Sequence, residues 1–319
     1  MPNNIYVTRQ IPLSGLDLLQ RELGGFEINT ADKQLSKTEL KAATKGRDAI
    51  LCLLTDAIDG EVLDAAGPQL KIVANVAVGY NNIDVPAASA RKVIVSNTPG
   101  VLTDTTADLA FALMLASARR LCESERVLRA GKWPGWGILQ FLGQDIGGKT
   151  LGIVGGGRIG QAMARRARGF DMQILYSSRS AHSEMESIGA RRVLLDELLK
   201  QSDFVSLHCP LTPETKHLIG AKQLAMMKPT AHLINTARGP VVDEAALVEA
   251  LKTKKIAGAG LDVYEEEPKI HPGLFELENA VLAPHIGSAT TETRGKMATM
   301  AAQNVIAVLK GGKAPNAVN

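Results

Sequence analysis

Leu151-Gly152-Ile153-Val154 is an unbroken apolar run, and the next six residues, Gly155-Gly156-Gly157-Arg158-Ile159-Gly160, lead into a stretch with helical spacing. A buried strand that turns on glycines straight into an amphipathic helix constrains the fold more than any other segment of this chain. Gly155 permits the tight turn, Gly157 lets the backbone approach a phosphate closely, and Gly160 lets helix and strand pack together. The helix N-terminus then offers free N–H groups and the positive end of its dipole, which suit a pyrophosphate. The competing reading is a glycine-rich turn that binds nothing; the strand before it and the helix after it weigh against that.

The same alternation runs through almost the whole chain. Candidate strands are Ile5 to Thr8, Phe26 to Asn29, Ala49 to Leu54, Ile72 to Asn75, Leu151 to Val154, Gln173 to Tyr176, Phe204 to Leu207, His232 to Asn235, Gly258 to Asp262 and Ala280 to Ala283. Between most of them lie helical stretches such as Ile159 to Arg168, Leu194 to Gln201 and Glu244 to Lys252. This predicts the α/β class, with doubly wound parallel sheets and ligands beyond the carboxyl ends of the strands. At 319 residues the chain exceeds the size of an ordinary single core, so two domains are expected, with one large barrel as the competitor. The turn-forming Asn97-Thr98-Pro99-Gly100 precedes an Ala/Leu-rich helix starting near Asp104 and marks the first boundary.

Charge and cysteine usage narrow the function classes. Thirty-six Lys and Arg stand against 33 Asp and Glu, interleaved along the chain, which gives no support to a nucleic acid or membrane partner. Cys52, Cys122 and Cys209 are too few and too far apart for a metal site, a redox motif or a disulfide framework, so no metal and a cytoplasmic location are expected. The start of the chain lacks the layout of a signal peptide. Its longest apolar run, Leu109 to Ala116, falls far short of the roughly 20 residues that span a bilayer, and reads as a buried or subunit-contact helix.

The strand after the glycine turn tells the two dinucleotides apart. A free adenosine ribose calls for an acid about 20 residues past the glycines. Here Gln173-Ile174-Leu175-Tyr176 ends in Ser177-Ser178-Arg179-Ser180, which has hydroxyls and a guanidinium but no carboxylate. That set suits a 2′-phosphate, so NADPH is preferred, with NADH as the alternative. The other reading leaves Arg179 a solvated cation.

Three later strand ends carry chemistry. Ile234-Asn235-Thr236-Ala237-Arg238-Gly239 presents a guanidinium fork that can hold a carboxylate and polarise a ketone. Gly260-Leu261-Asp262-Val263-Tyr264-Glu265-Glu266-Glu267-Pro268 runs from a strand into acids, and Ala283-Pro284-His285-Ile286-Gly287-Ser288-Ala289-Thr290 sets a histidine before a helix. Reduction of a 2-oxo acid needs a cation for the carboxylate, a hydride donor, and a proton donor for the oxygen. Arg238, NADPH and His285 fill these roles, and Glu267 is the carboxylate chosen to favour the imidazolium form. His208, His217 and His232 also lie near strands or loops, so periodicity alone does not select His285.

With Val78-Gly79-Tyr80-Asn81-Asn82-Ile83-Asp84 and Asn97-Thr98-Pro99-Gly100-Val101-Leu102-Thr103 added to the segments above, the sequence resembles the D-isomer-specific 2-hydroxyacid dehydrogenases over nearly its whole length. The likeness is to their glyoxylate/hydroxypyruvate reductase branch. It implies an oxidoreductase with Arg238, Glu267 and His285 as its catalytic set, reducing glyoxylate to glycolate and hydroxypyruvate to D-glycerate. It further implies that the N–H groups of Val78 and Gly79 hold the substrate carboxylate with Arg238, and that Leu54 lines the pocket. Cofactor contacts fall on Thr106, Gly155, Gly157, Arg158, Ile159, Gly160, Ser177, Ser178, Arg179, Cys209, Pro210, Thr215, Thr236, Ala237, Arg238, Asp262, His285 and Gly287.

The implied architecture is an NAD(P)-binding Rossmann domain, residues 100–284, inserted into a flavodoxin-like substrate domain of residues 1–99 and 285–319, which closes on ligand. The implied assembly is a homodimer built on the helix from Asp104 to Arg120, in which Trp136 reaches a neighbouring pocket or, with Trp133, packs in the interface. Two departures from the family pattern stand out: Gly156 replaces a bulkier apolar residue, and Ser178 replaces the Asp of NAD-dependent members. A 2-ketogluconate reductase is the nearest alternative, and an NAD(P)H-sensing, corepressor-like binding protein is the alternative from another class.

Overall fold

Short apolar runs become parallel strands throughout. The computed structural model describes residues 4 to 319. Its first elements in chain order are β1 (Ile5–Val7), α1 (Leu13–Leu23), β2 (Glu27–Ile28), α2 (Lys37–Thr44), β3 (Ala49–Cys52), α3 (Gly60–Ala66), β4 (Ile72–Asn75), α4 (Val85–Ala90) and β5 (Ile94–Ser96). The strands form one parallel sheet in the order β2-β1-β3-β4-β5, the flavodoxin-like winding. β1, β3 and β4 are buried along their whole length, as expected for strands covered on both faces. Helix starts follow local chemistry: Ser36 and Glu39 make a reciprocal capping box on α2, and the side chains of Asp59 and Asp84 cap α3 and α4.

The next stretch holds α5 (Thr103–Ala118), α6 (Leu121–Arg129), β6 (Thr150–Val154), α7 (Arg158–Arg168), β7 (Gln173–Ser177), α8 (Ser183–Ser187), β8 (Arg191–Arg192), α9 (Leu195–Gln201), β9 (Phe204–Leu207), α10 (Ala221–Met226), β10 (His232–Asn235), α11 (Glu244–Lys252), β11 (Gly258–Leu261), α12 (Pro272–Phe275) and β12 (Ala280–Leu282). Its seven strands lie parallel in the order β12-β11-β10-β9-β6-β7-β8. This is the Rossmann winding with one strand added, and its direction of travel reverses between β6 and β9. α5 lies on the sheet against β10 and β11, where Gly260 makes room for it: a Cβ there would stand 2.9 Å from Leu113 Cβ.

The last helix, α13 (Thr291–Leu309), returns to the first sheet and packs along α1. A Cβ on Gly15 would lie 2.7 Å from the Ala298 carbonyl oxygen, so glycine sets the approach of the two helices. Leu16, Leu19, Ala298, Ala301 and Val305 fill the space between them and β1, β3 and β4. Each fully buried leucine of this kind contributes about 1.5–3 kcal/mol. The chain therefore divides into two compact units: the part up to Leu102 with Ser288–Asn319, and Thr103–Gly287. Both junctions fall three residues beyond the positions read from the sequence, so His285 lies in the unit that holds Arg238 and Glu267.

The sequence reading missed two strands. β8 is two exposed arginines paired with Leu175 and Tyr176, and β5 is a three-residue strand that overlaps the short β-branched run Val93-Ile94-Val95. Several strands stop short of the apolar runs that announce them: β3 ends at Cys52, because Leu53 and Asp56 already form a turn.

Candidate active site

The glycine turn sits at the reversal of the larger sheet. Gly155 takes φ +105°, and a Cβ on it would stand 2.6 Å from the His208 carbonyl carbon and oxygen at the end of β9. A Cβ on Gly160 would collide with Gly155 O. Each therefore excludes any side chain for a different reason, one by conformation and contact, the other by contact alone. Around Gly157 a Cβ would meet nothing within 4 Å, and no side chain caps α7. The first turn of an 11-residue helix is thus left open to an outside acceptor, as a dinucleotide pyrophosphate requires. Gly156, where the family pattern is bulkier, is covered by the His182 imidazole, which a Cβ there would strike.

At the end of β7 the Ser177–Ser180 loop carries no acid. The Arg192 guanidinium holds it from β8, donating to Ser178 O at 3.0 Å and Arg179 O at 2.8 Å. Ser178 Oγ donates to Ser180 O. Across the sheet reversal, Thr215 Oγ1 donates to Pro210 O at 2.7 Å and shapes the turn after β9, where Cys209 is buried. Burial pushes the Cys209 thiol up to about 11.

The three strand ends with chemistry meet within the Thr103–Gly287 unit. Asn235 folds the chain after β10, its Oδ1 accepting from Ala237 N–H and its Nδ2 donating to Arg238 O, both at 3.0 Å. Arg238 is largely buried; burial lowers its pKa and the charge of Glu267 opposes the shift. Glu267 Oε2 lies 2.8 Å from His285 Nδ1, and its Oε1 accepts from Tyr264 N–H at 3.0 Å. Burial pushes the Glu267 carboxyl up, but the His285 bond and charge, the Tyr264 N–H and Arg238 together hold it below the usual carboxylate value. Two residues before Arg238, the buried Thr236 hydroxyl has no partner among the described residues, so its environment asks for a ligand group.

His285 stands at φ +53°, a left-handed conformation that costs on the order of 1 kcal/mol or more for a residue with a Cβ. Asp262 holds it there. Asp262 O accepts from His285 N–H at 2.9 Å, and the two carboxylate oxygens accept from Ile286 N–H at 2.7 Å and Gly287 N–H at 2.8 Å. Burial raises the Asp262 pKa against these bonds. Thr106 Oγ1 donates to Gly287 O at 3.1 Å. Residues expected as cofactor contacts thus also build the turn that presents the histidine.

Glu244 escaped the sequence reading. Buried at the start of α11, its oxygens accept from Glu265 N–H at 2.8 Å and His271 N–H at 2.6 Å, on either side of Glu267. Arg192 escaped it too. Neither carries a local signal, because each acts on backbone groups that only folding brings near. In the other unit, Leu54 is partly exposed after β3, and Val78 and Gly79 are half-buried in the turn after β4. Trp136 is 79% exposed and Trp133 51%. No helix among the described residues is long and apolar enough to cross a membrane.

Comparison with known proteins agrees with this geometry. The family model for the D-isomer specific 2-hydroxyacid dehydrogenase NAD binding domain matches residues 111–287. A glyoxylate reductase of Thermococcus litoralis is 53% identical over all of this chain and 97% of its own. A solved structure from Thermus thermophilus superposes with a TM-score of 0.93 at 45% identity, over 99% of this chain and 100% of that one. An NADPH-dependent glyoxylate/hydroxypyruvate reductase of Sinorhizobium meliloti, solved with NADP and malonate, gives a TM-score of 0.87 at 35% identity, over 100% of this chain and 97% of that one.

Proposed function

This chain belongs to the D-isomer-specific 2-hydroxyacid dehydrogenase family, and from that premise we propose that it reduces glyoxylate to glycolate and hydroxypyruvate to D-glycerate, with NADPH favoured over NADH. The observation that carries the reading is the His285–Glu267 pair beside the largely buried Arg238.

When bound, the nicotinamide cofactor supplies the hydride to the substrate's carbonyl carbon. The chain's own residues do the rest. Arg238 binds the carboxylate and polarises the ketone oxygen with a planar fork of donors, strengthened by burial. His285 keeps Nδ1 on Glu267, so Nε2 is the atom that gives a proton to the oxygen. Glu267 stays ionised at neutral pH and, through its bond to Nδ1, fixes the orientation of the imidazole. The N–H groups of Val78 and Gly79 take the substrate carboxylate. The Gly155–Gly160 turn holds the pyrophosphate, and Ser178 with Arg179 holds the 2′-phosphate. Support for NADPH comes from the acid-free loop and from the NADP-bound Sinorhizobium relative.

The same reading makes Thr103–Gly287 the cofactor unit and the remainder the substrate unit of a cytoplasmic enzyme. It also makes the chain a homodimer, for which the exposed Leu121, Leu128, Trp136, Ile138, Leu139 and Leu142 supply apolar surface. The test is loss of absorbance from NADPH and from NADH with purified protein on glyoxylate, hydroxypyruvate and 2-ketogluconate. Fast NADPH oxidation with the two small acids is expected. Turnover mainly with NADH would sink the Ser178 and Arg179 assignment, selective use of 2-ketogluconate would move the enzyme to the sugar-acid branch, and no turnover would favour the sensor.

A further inference from the structure

In the turn after β4, the carbonyls from Ala77 to Tyr80 are engaged while the N–H groups of Val78, Gly79 and Tyr80 are idle. Four successive carbonyl oxygens accept hydrogen bonds: Ala77 O from Thr98 N–H at 2.9 Å, Val78 O from Asn97 Nδ2 at 2.8 Å, Gly79 O from Asn75 Nδ2 at 2.9 Å, and Tyr80 O from Ile83 N–H at 3.0 Å. The backbone N–H groups of Val78, Gly79 and Tyr80 find no acceptor among the described residues. In a trans peptide C=O and N–H point in opposite directions. Each carbonyl tied to the body of the unit therefore turns the N–H that follows it outward. None of these four carbonyl oxygens is left to repel an anion, and three successive donors make a concavity for one.

Two of the four ties come from side chains. Asn97 is 9% exposed and Asn75 fully buried, so both amides hold their direction. The network extends further. Asn75 Nδ2 also donates to Asn82 Oδ1 at 3.1 Å, and Asn82 Nδ2 reaches Leu53 O at 3.1 Å and Asp56 O at 3.0 Å, on both sides of Leu54. The N–H donors and the turn that carries Leu54 are thereby fixed to one another.

We propose that Asn97 and Asn75 are positioning residues for the substrate carboxylate, aiming the N–H groups of Val78, Gly79 and Tyr80 as one three-donor site that Asn82 locks to the Leu54 turn. This rests on the functional reading above for the identity of the anion. The backbone supplies the binding, and the asparagines supply its direction. Removing Asn97 frees the Val78–Gly79 peptide to rotate and costs about one hydrogen bond to a charged group.

The experiment uses the NADPH-loaded protein. Oxamate, a monocarboxylate that resembles a 2-oxo acid, is titrated calorimetrically into wild type and Asn97→Ala, and kcat and KM for glyoxylate are measured on both. In Asn97→Ala, oxamate Kd and glyoxylate KM should each rise about tenfold, while kcat changes less than about twofold and NADPH affinity does not move. Asn97→Asp should lose more, because it cannot donate to Val78 O and adds a negative charge near the anion. Asn97→Ser, which keeps a hydroxyl donor, should lie between wild type and alanine and serves if the alanine variant does not fold. An unchanged oxamate Kd, or a fall in kcat at constant KM, overturns the proposal. A wild type that binds no oxamate overturns the site itself. A wild type that binds oxamate but reduces no 2-oxo acid sinks only the functional reading.

Discussion

The Gly155–Gly160 turn and the Ala77–Tyr80 turn each present backbone N–H groups, and they reach that state by opposite means. The first does it by subtraction: Gly155 adopts a conformation and a contact that no side chain tolerates, and Gly157 leaves open space in front of an uncapped helix. The second does it by addition, with asparagine amides from β4 and from the segment after β5 pulling carbonyls inward. A third turn, at His285, combines the two ideas: an unfavourable backbone conformation is held by a buried carboxylate that accepts the N–H groups behind it. A turn built by subtraction is intolerant of any added atom. A turn built by addition loses its aim gradually as its supports are removed.

That contrast can be broken at several points. The largest effect is expected at the chemistry itself: His285→Gln should lower kcat by about 10²–10⁴-fold with NADPH affinity unchanged, since the glycine turn is untouched. A kcat within tenfold of wild type would mean that His285 is not the proton donor. Gly155→Ala comes next. Its Cβ would sit 2.6 Å from the His208 backbone at a positive φ, so NADPH affinity should fall about 100-fold and the melting midpoint should drop by several degrees. Wild-type affinity in this variant would refute the subtraction argument, and it contrasts with the tenfold, KM-only loss expected for Asn97→Ala.

Acid should separate the two turns as well. Burial holds His208, whose backbone supports Gly155, down to about 4, and does the same to His232. A histidine with a depressed folded pKa contributes stability that is fully present above its unfolded value near 6.5 and is lost as pH falls toward about 4. Each group can contribute up to roughly 3 kcal/mol to this loss. Hydrogen exchange at pH 5 should therefore quicken in β6 and β9, the paired strands that carry the Gly155 turn and His208, before β3 and β4, which carry the asparagine-held turn and whose Asn75 and Asn82 supports do not titrate. Equal protection of both strand pairs from pH 7 to 4.5 would count against the His208 support. The smallest effect belongs to the exposed loop after β7: Arg179→Gln should weaken NADPH about tenfold and leave NADH within about twofold, and equal loss of both would return Arg179 to the role of a surface cation.

Legibility in the sequence followed the range of the interactions. The strand–turn–helix at Leu151–Arg168 was readable because strand, glycine spacing and helix stand in adjacent residues, although the contact that bars a side chain at Gly155 is with distant His208, and parallel strands such as Phe204–Leu207 and His232–Asn235 matched their apolar runs residue for residue. Arg238, Glu267 and His285 were chosen from the chemistry of three strand ends and supported by family likeness; periodicity alone left four histidines in play. Geometry narrows them: His208 bonds Ser206 and His232 stacks on Phe204, while His217 and His285 each face a glutamate, and it is Glu267, the partner of His285, that also feels the charge of Arg238. β8 was invisible because two exposed arginines have no pattern, and its function, holding the Ser178 and Arg179 carbonyls, depends on a neighbour across the sheet.

By itself, then, the sequence determined the α/β class, the glycine turn between strand and helix, and the absence of an acid after β7, all of which are written in adjacent residues through sterics and charge. Tertiary structure decided what those pieces do together. Which strand lies beside which, where Asp262 and Glu244 spend their oxygens, and that Asn75 and Asn97 reach one turn are set by long-range packing. A hydrogen bond made across many residues leaves no local mark, because an asparagine's amide reads the same in a sequence whether it faces water or fixes the direction of a distant peptide.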